Sequence, residues 1–168
     1  MPEELVPFEE VYRQFADRVL RFCVTLLRDV SQAEDVTAEV FVSAYSAYQR
    51  VRPAPEGVKP WLFRIARNAA IDHMRKQQTW RRLWIDLSST PLAELDTEGV
   101  AAVHEETREI LSGLGALKRR DRQLIGLRHG GGLSFREIGE TLGMTDKSAR
   151  VAYGRAIRRL REAVEGRG

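Results

Sequence analysis

Ser134-Phe135-Arg136-Glu137-Ile138-Gly139-Glu140-Thr141-Leu142-Gly143-Met144-Thr145-Asp146-Lys147-Ser148-Ala149-Arg150 decides how the C-terminal part of this 168-residue chain folds. Ser134 and Glu137 stand three apart, the spacing of a capping box, so a helix starts here. Phe135, Ile138 and Leu142 share one face of that helix. Gly143 ends it, because glycine readily takes the left-handed conformation of a sharp helix corner. Thr145 caps a following helix from Asp146 to about Glu165, with Ala149, Ala152, Tyr153, Ala156, Ile157, Leu160 and Val164 as its packed stripe. Two helices joined by a tight glycine turn form a helix-turn-helix. In that motif the second helix enters the DNA major groove by its N-terminal half. The candidates for duplex contact are therefore Lys147, Ser148, Arg150 and Val151, with Arg155 and Arg158 further along and Ser134 at the head of the first helix. The bland alternative is an ordinary helix pair with a cationic surface.

Working back along the chain, Gly130-Gly131-Gly132 reads as a flexible break. No Lys-Ser/Thr follows it, which excludes a phosphate-cradling loop. A helix around 118–128 precedes it, and another helical pattern starts near Val103. Residues 85–102 lose the period and carry Ser88, Ser89, Thr90, Pro91 and Gly99, the composition of a linker. Three amphipathic helices precede the linker. The first carries Phe8, Val11, Tyr12, Phe15, Val19, Phe22, Cys23, Leu26 and Leu27 at steps of three and four. Ser31-Gln32-Ala33-Glu34 places the start of the second, whose stripe is Ala33, Val36, Val40, Phe41, Ala44 and Tyr48. The Pro-rich stretch Arg52–Gly57 reads as a loop. Pro60 suits the first turn of the third helix, which runs toward Leu83. The expected fold is all-α. Two small helical domains, residues 1–84 and 108–168, are joined by a flexible acidic linker at 85–107.

Charge distribution is more informative than the net +3. Residues 1–76 are neutral, 77–107 carry −4 and 108–168 carry +7. A basic end behind an acidic connector suits a polyanionic partner, and a solvated Arg-rich face explains it equally well. A lone cysteine, Cys23, excludes an internal disulfide and, with only three scattered histidines, makes a structural zinc site improbable. Neither a transmembrane run nor a signal-peptide pattern is present, so the chain is expected to be cytoplasmic.

Two further constellations stand out. Residues 59–84 interleave basic Lys59, Arg64, Arg67, Arg75, Lys76, Arg81 and Arg82 with Trp61, Phe63, Trp80 and Trp84. Basic groups track a phosphate backbone, and aromatic faces stack unpaired bases at about 1–3 kcal/mol each, so the pattern suits single-strand binding. A core helix with inward tryptophans is the competing reading. Asp35 and Glu39, four apart, share a helix face. No nucleophile, metal ligand or glycine loop accompanies them, so a protein-binding face outranks catalysis, and on spacing alone a merely solvated face outranks both.

Taken in order, these pieces resemble the sigma-70 family, in its extracytoplasmic-function (ECF) subgroup. Residues 33–41 resemble the family's region 2.2. Residues 61–72 with Arg75-Lys76 resemble regions 2.3 and 2.4, and residues 133–143 with Arg155-Ala156 and Leu160-Arg161 resemble region 4.2. The resemblance implies a non-catalytic factor without metal or cofactor. It implies that Asp35, Ala38 and Glu39 contact the beta and beta-prime subunits of the RNA polymerase core. Arg52, Lys59, Trp61, Arg64, Asn68, Asp72, Arg75 and Lys76 would then bind the minus-ten element as melted single strand. The helix-turn-helix set would bind the minus-35 element as duplex. Asp86, Glu94, Asp96 and Glu98 would thread the polymerase as mimics of RNA charge, with a plain solvated tether as the alternative. Factors of this class are often held by an anti-sigma protein. The chain departs from the pattern at Ala38, Gly139, Asp146, Lys147, Ala152 and Tyr153. A stand-alone helix-turn-helix regulator remains the competing function, and it needs no region 2 motifs. An enzyme using Asp35 or Glu39 is a distant third.

Overall fold

The computed structural model describes residues 4–87 and 105–166. Every regular element among them is helical. Helix α1 spans Phe8–Leu27, α2 Val30–Val51, α3 Val58–Leu87, α4 Glu105–Gly115, α5 Arg119–Ile125, α6 Phe135–Leu142 and α7 Asp146–Glu165. A single 3-10 turn at Pro55–Gly57 lies within the stretch expected to be loop. Helix α3 continues past residue 84, and α4 begins at Glu105. The linker residues Glu94, Asp96 and Glu98 lie outside the described residues.

The first half is a three-helix bundle built on the stripes legible in the sequence. Val11, Phe15, Val19, Phe22, Cys23 and Leu26 are buried on α1, and Ala33, Val36, Val40, Phe41, Ala44 and Tyr48 on α2. The start of α2 corrects the expected capping box at Ser31. Asp29 is the cap, its carboxylate accepting from the Gln32 N–H at 2.9 Å, so the helix begins one residue before Ser31. An aspartate in extended backbone competes well for this position. Helix α3 buries Leu62, Phe63, Ala66, Ala70 and Ile71.

The second half follows the helix-turn-helix reading closely. Ser134 Oγ accepts from the Glu137 N–H at 3.2 Å, while Glu137 accepts from the Ser134 N–H at 2.8 Å. Gly143 takes φ +72°, and Thr145 Oγ1 accepts from the Ser148 N–H at 3.1 Å. Gly139 proves necessary rather than merely tolerated. A Cβ there would lie 2.5 Å from the Met144 carbonyl oxygen, so the corner closes too tightly for alanine. Helix α7 is tied to α5 by Asp121, a buried carboxylate that holds Arg159 Nη1 at 2.8 and 3.0 Å.

The glycine triplet corrects a second expectation. Residues 126–130 form one wide helical turn, with the Gly131 N–H donating to the Gly126 carbonyl five residues back at 2.9 Å. Such turns occur as single widened units inside or beside helices. Gly130 and Gly131 are buried, not part of a free break. They lie where the second half packs on the first, so that Leu124, Leu127, Leu133 and Ile138 join the same apolar core as Phe22, Leu62 and Phe63.

Candidate nucleic-acid and polymerase interfaces

Asp35, Ala38 and Glu39 are all exposed on α2. Ala38 lines a shallow groove between α1 and α2 with Tyr12, Asp17, Glu34 and Phe41. Beside it, Tyr12, Val42 and Tyr45 expose 52, 67 and 68% of their surface, far more than apolar side chains need. Edge-to-face contacts of Tyr12 with Phe41 (4.9 Å) and of Phe8 with Tyr45 (5.3 Å) fix this surface. Sequence reasoning found the carboxylates and Val42 on this face, passed over Tyr45, and placed Tyr12 in the buried stripe of α1, which its 52% exposure corrects. The off-stripe position of Tyr45 was the available signal, because an apolar residue opposite the buried face has no partner within the fold.

Several members of the minus-ten set already have intramolecular partners. Lys59 Nζ lies 3.1 Å from Glu137 and 3.4 Å from the Gly132 carbonyl oxygen. Arg64 donates to the Glu140 carbonyl at 3.1 Å, satisfying an orphan acceptor at the end of α6. Arg67 donates to the Asn68 amide oxygen at 3.3 Å and to Gln123 at 3.0 Å. Asp72 and Arg75 form a loose exposed pair at 3.9 Å, and Lys76 is exposed. Arg52 is exposed and takes φ +46° as the C-cap of α2. Trp61 is half-buried against Tyr48, with ring centroids 5.8 Å apart. Phe63 corrects the stacking expectation. It is fully buried, edge-to-face on Phe22 at 5.8 Å, and presents no face to a base. Trp80, 61% exposed, remains available for stacking.

On α7, Lys147, Ser148, Arg150, Val151, Arg155 and Arg158 all face solvent, as does Ser134. Arg150 is not a loose side chain. Its guanidinium lies over the Phe135 ring at 5.0 Å, and Arg128 lies over the same ring at 4.5 Å. Cation–π contacts of this kind hold a charge at a defined place. Tyr153 packs on Phe135 and bonds His129 through its hydroxyl, which gives this departure from the family pattern a local role. Sequence reasoning placed Phe135 on the packed face of α6 but overlooked Arg128, and their meeting across a turn leaves no periodic trace.

The lone cysteine takes no part in these surfaces. Burial pushes the Cys23 thiol up to about 11, a hydrogen bond with Thr37 opposing it only in part. Among the described residues no cluster of three or more His, Cys, Asp or Glu could hold a metal ion, and no helix is long and apolar enough to cross a membrane.

Comparison with known proteins agrees with this geometry. Residues 11–80 match the model for sigma-70 region 2, and residues 113–162 match that for sigma-70 region 4. The chain belongs to the ECF sigma factor family. It is 28% identical to the ECF RNA polymerase sigma factor SigX of Bacillus subtilis (strain 168), over 94% of this chain and 84% of that one. With SigM of the same organism it shares 29%, over 95% and 96%. Among solved structures it matches the sigma factor RpoE of Bartonella quintana, in complex with the anti-sigma factor NepR, at TM-score 0.75 and 22% identity, covering 94% of this chain and 96% of that one. It also matches CnrH, in complex with the cytosolic domain of CnrY, at TM-score 0.71 and 21% identity, over 96% and 89%. As an ECF sigma factor the chain is a DNA-binding protein of transcription initiation, not an enzyme.

Proposed function

We propose that this sigma factor docks on the core polymerase through α2, captures the melted minus-ten strand on α3 and reads duplex minus-35 DNA with α7. The observation that carries the reading is the presence, on one chain, of three separate surfaces of different chemistry. The α2 face joins carboxylates Asp35 and Glu39 to exposed Val42 and Tyr45, a mixture suited to a protein partner. The α3 face offers cations with Asn68 and exposed Trp80, which suits an unpaired strand. The N-terminal half of α7 presents Lys147 and Arg150, donors matched to phosphates and guanine edges.

The mechanism is differential binding. Unpairing duplex DNA takes a few kcal/mol, and stacking and hydrogen bonding of extruded bases offset it. Polymerase supplies the bond chemistry. Because the RpoE and CnrH structures contain NepR and CnrY, an anti-sigma protein is the natural inhibitory partner for this chain also. The deciding experiment is run-off transcription with purified core polymerase on a library of genomic fragments. The expected result is initiation at a discrete promoter set that depends on both proteins. Tight, specific duplex binding by the free chain, with no effect on initiation, would make it a stand-alone regulator instead.

A further inference from the structure

Three guanidinium groups gather where α1 ends. Arg28, the C-cap of α1, donates through Nε to the Leu111 carbonyl at 3.1 Å. Its head lies against Gly115, the last residue of α4. A Cβ there would overlap the Arg28 Cζ and Nη1 and come within 2.6 Å of Nη2. Arg119 and Arg122 approach from α5, three positions apart and so neighbours on one helix face. Arg28, Arg119 and Arg122 are all half-buried, whereas Arg120 is exposed.

Arginine keeps its charge under ordinary conditions, so three positive charges share this corner. Among the described residues neither Arg119 nor Arg122 belongs to an ion pair, and the adjacent carboxylate, Asp121, is held by Arg159. Arg122 Nε is buried and has no hydrogen-bond partner among them. A buried donor on a charged group is costly to leave unpaired. Burial first, and then the charges of Arg28 and Arg119, hold the Arg122 guanidinium below its ordinary value. Arg120 shows the cheaper arrangement, a side chain turned to water.

We propose that this corner is a binding site for a small free anion carrying a pyrophosphoryl group, seated between the end of α1 and α5. Guanidinium forks match phosphoryl oxygens in bidentate pairs, and such a group supplies acceptors to several of them at once. Its charge balances three cations more nearly than a single carboxylate does. Duplex DNA is the poorer source of phosphate, because the Arg122 donor is enclosed while the cations of α7 stand exposed. None of the surfaces assigned above to promoter or polymerase includes these three arginines, and the test needs no polymerase.

The test uses the full chain as wild type, Arg122→Gln, Gly115→Ala and Arg120→Gln. Pyrophosphate is titrated with ionic strength held constant by chloride, and calorimetry and thermal unfolding read the result. The wild type is expected to bind saturably and to melt several degrees higher, because a ligand of the folded chain alone stabilises it. R122Q should bind about tenfold more weakly or worse, having lost a charge-assisted contact. Gly115 lacks a positive φ, so G115A keeps its backbone, pushes Arg28 aside without removing a charge, and should weaken binding by less. R120Q should bind as the wild type does. Absence of saturable binding by the wild type overturns the site. Equal losses in R120Q and R122Q overturn it also, as general attraction to a basic surface. A promoter duplex followed by fluorescence anisotropy should bind R122Q and wild type alike. Weakened duplex binding by R122Q, with pyrophosphate bound by neither, gives the arginine to DNA and overturns the proposal. Should R122Q lose its helical circular dichroism, G115A decides in its place and must bind pyrophosphate more weakly than R120Q.

Discussion

Helices α3 and α7 carry the same kind of side chain under opposite conditions. On α7 the cations Lys147, Arg150, Arg155 and Arg158 face water, and Arg150 is aimed by the Phe135 ring. On α3, Lys59 and Arg64 are bonded to groups of the second half. A cation already holding a partner must exchange it, and the free energy of the old contact is subtracted from the new one. The surface proposed to read duplex is therefore ready as it stands, while the one proposed to capture a strand is conditional. Counting basic residues does not reveal this difference.

The comparison breaks most decisively at Phe63. It is fully buried between the halves, on Phe22 and beside Gly131. Phe63→Ala is expected to destabilise the chain by about 3–5 kcal/mol. Chemical denaturation followed by circular dichroism should show the loss in one transition, because the two halves share a core. A two-step melt with the second half unaffected would mean that the halves fold independently and that α3 is not conditional after all.

A smaller effect is expected on the open side. Arg150→Ala should weaken duplex promoter binding by about 1–3 kcal/mol if the contact is to a base edge, with no change in thermal stability beyond the lost Phe135 contact. Fluorescence anisotropy on a promoter fragment, read across salt concentrations, checks it. An unaltered affinity would remove α7 from the reading role.

Ser134→Ala follows, at about 1 kcal/mol of stability, because the Glu137 N–H loses its side-chain acceptor. It also loosens Glu137, the partner of Lys59, so it sharpens the comparison by acting on α3 from a distance. Thermal melting measures the first consequence, and single-strand binding by α3 measures the second, which should strengthen slightly. The smallest expected effect is at Cys23. With its thiol pushed up to about 11 in a closed core, it should react with a thiol reagent at neutral pH only as fast as the bundle unfolds. Rapid labelling of the native chain would show that the first half opens more readily than its packing implies.

What was legible in the sequence was what neighbours in sequence decide. The Ser134–Glu137 box, the Gly143 corner and the apolar stripes of α1 and α2 depend on residues within a few positions of one another, and the structure contains all of them. The start of α2 was misplaced by a short step because Asp29 and Ser31 are both good caps, and local pattern does not choose between them. Phe63 was read as a stacking face because it stands among basic residues, whereas it is buried, as Leu62, Ala66 and Ala70 are. The packing of Gly130 was not legible, because its constraint is the backbone of Phe22, more than a hundred residues away. The pairing of Lys59 with Glu137 was hidden for the same reason. Site residues were therefore easier to find than their engagement.

The clasp between Asp121 and Arg159 has a consequence for how this protein changes over generations. It moors the later part of α7 to α5, while Lys147, Ser148, Arg150 and Val151 project ahead of it, burying little of their own surface. Such a prong can trade side chains without disturbing its mooring. On the proposed reading, new promoter preferences are thus open to single substitutions, each tried on a scaffold that the exchange leaves moored.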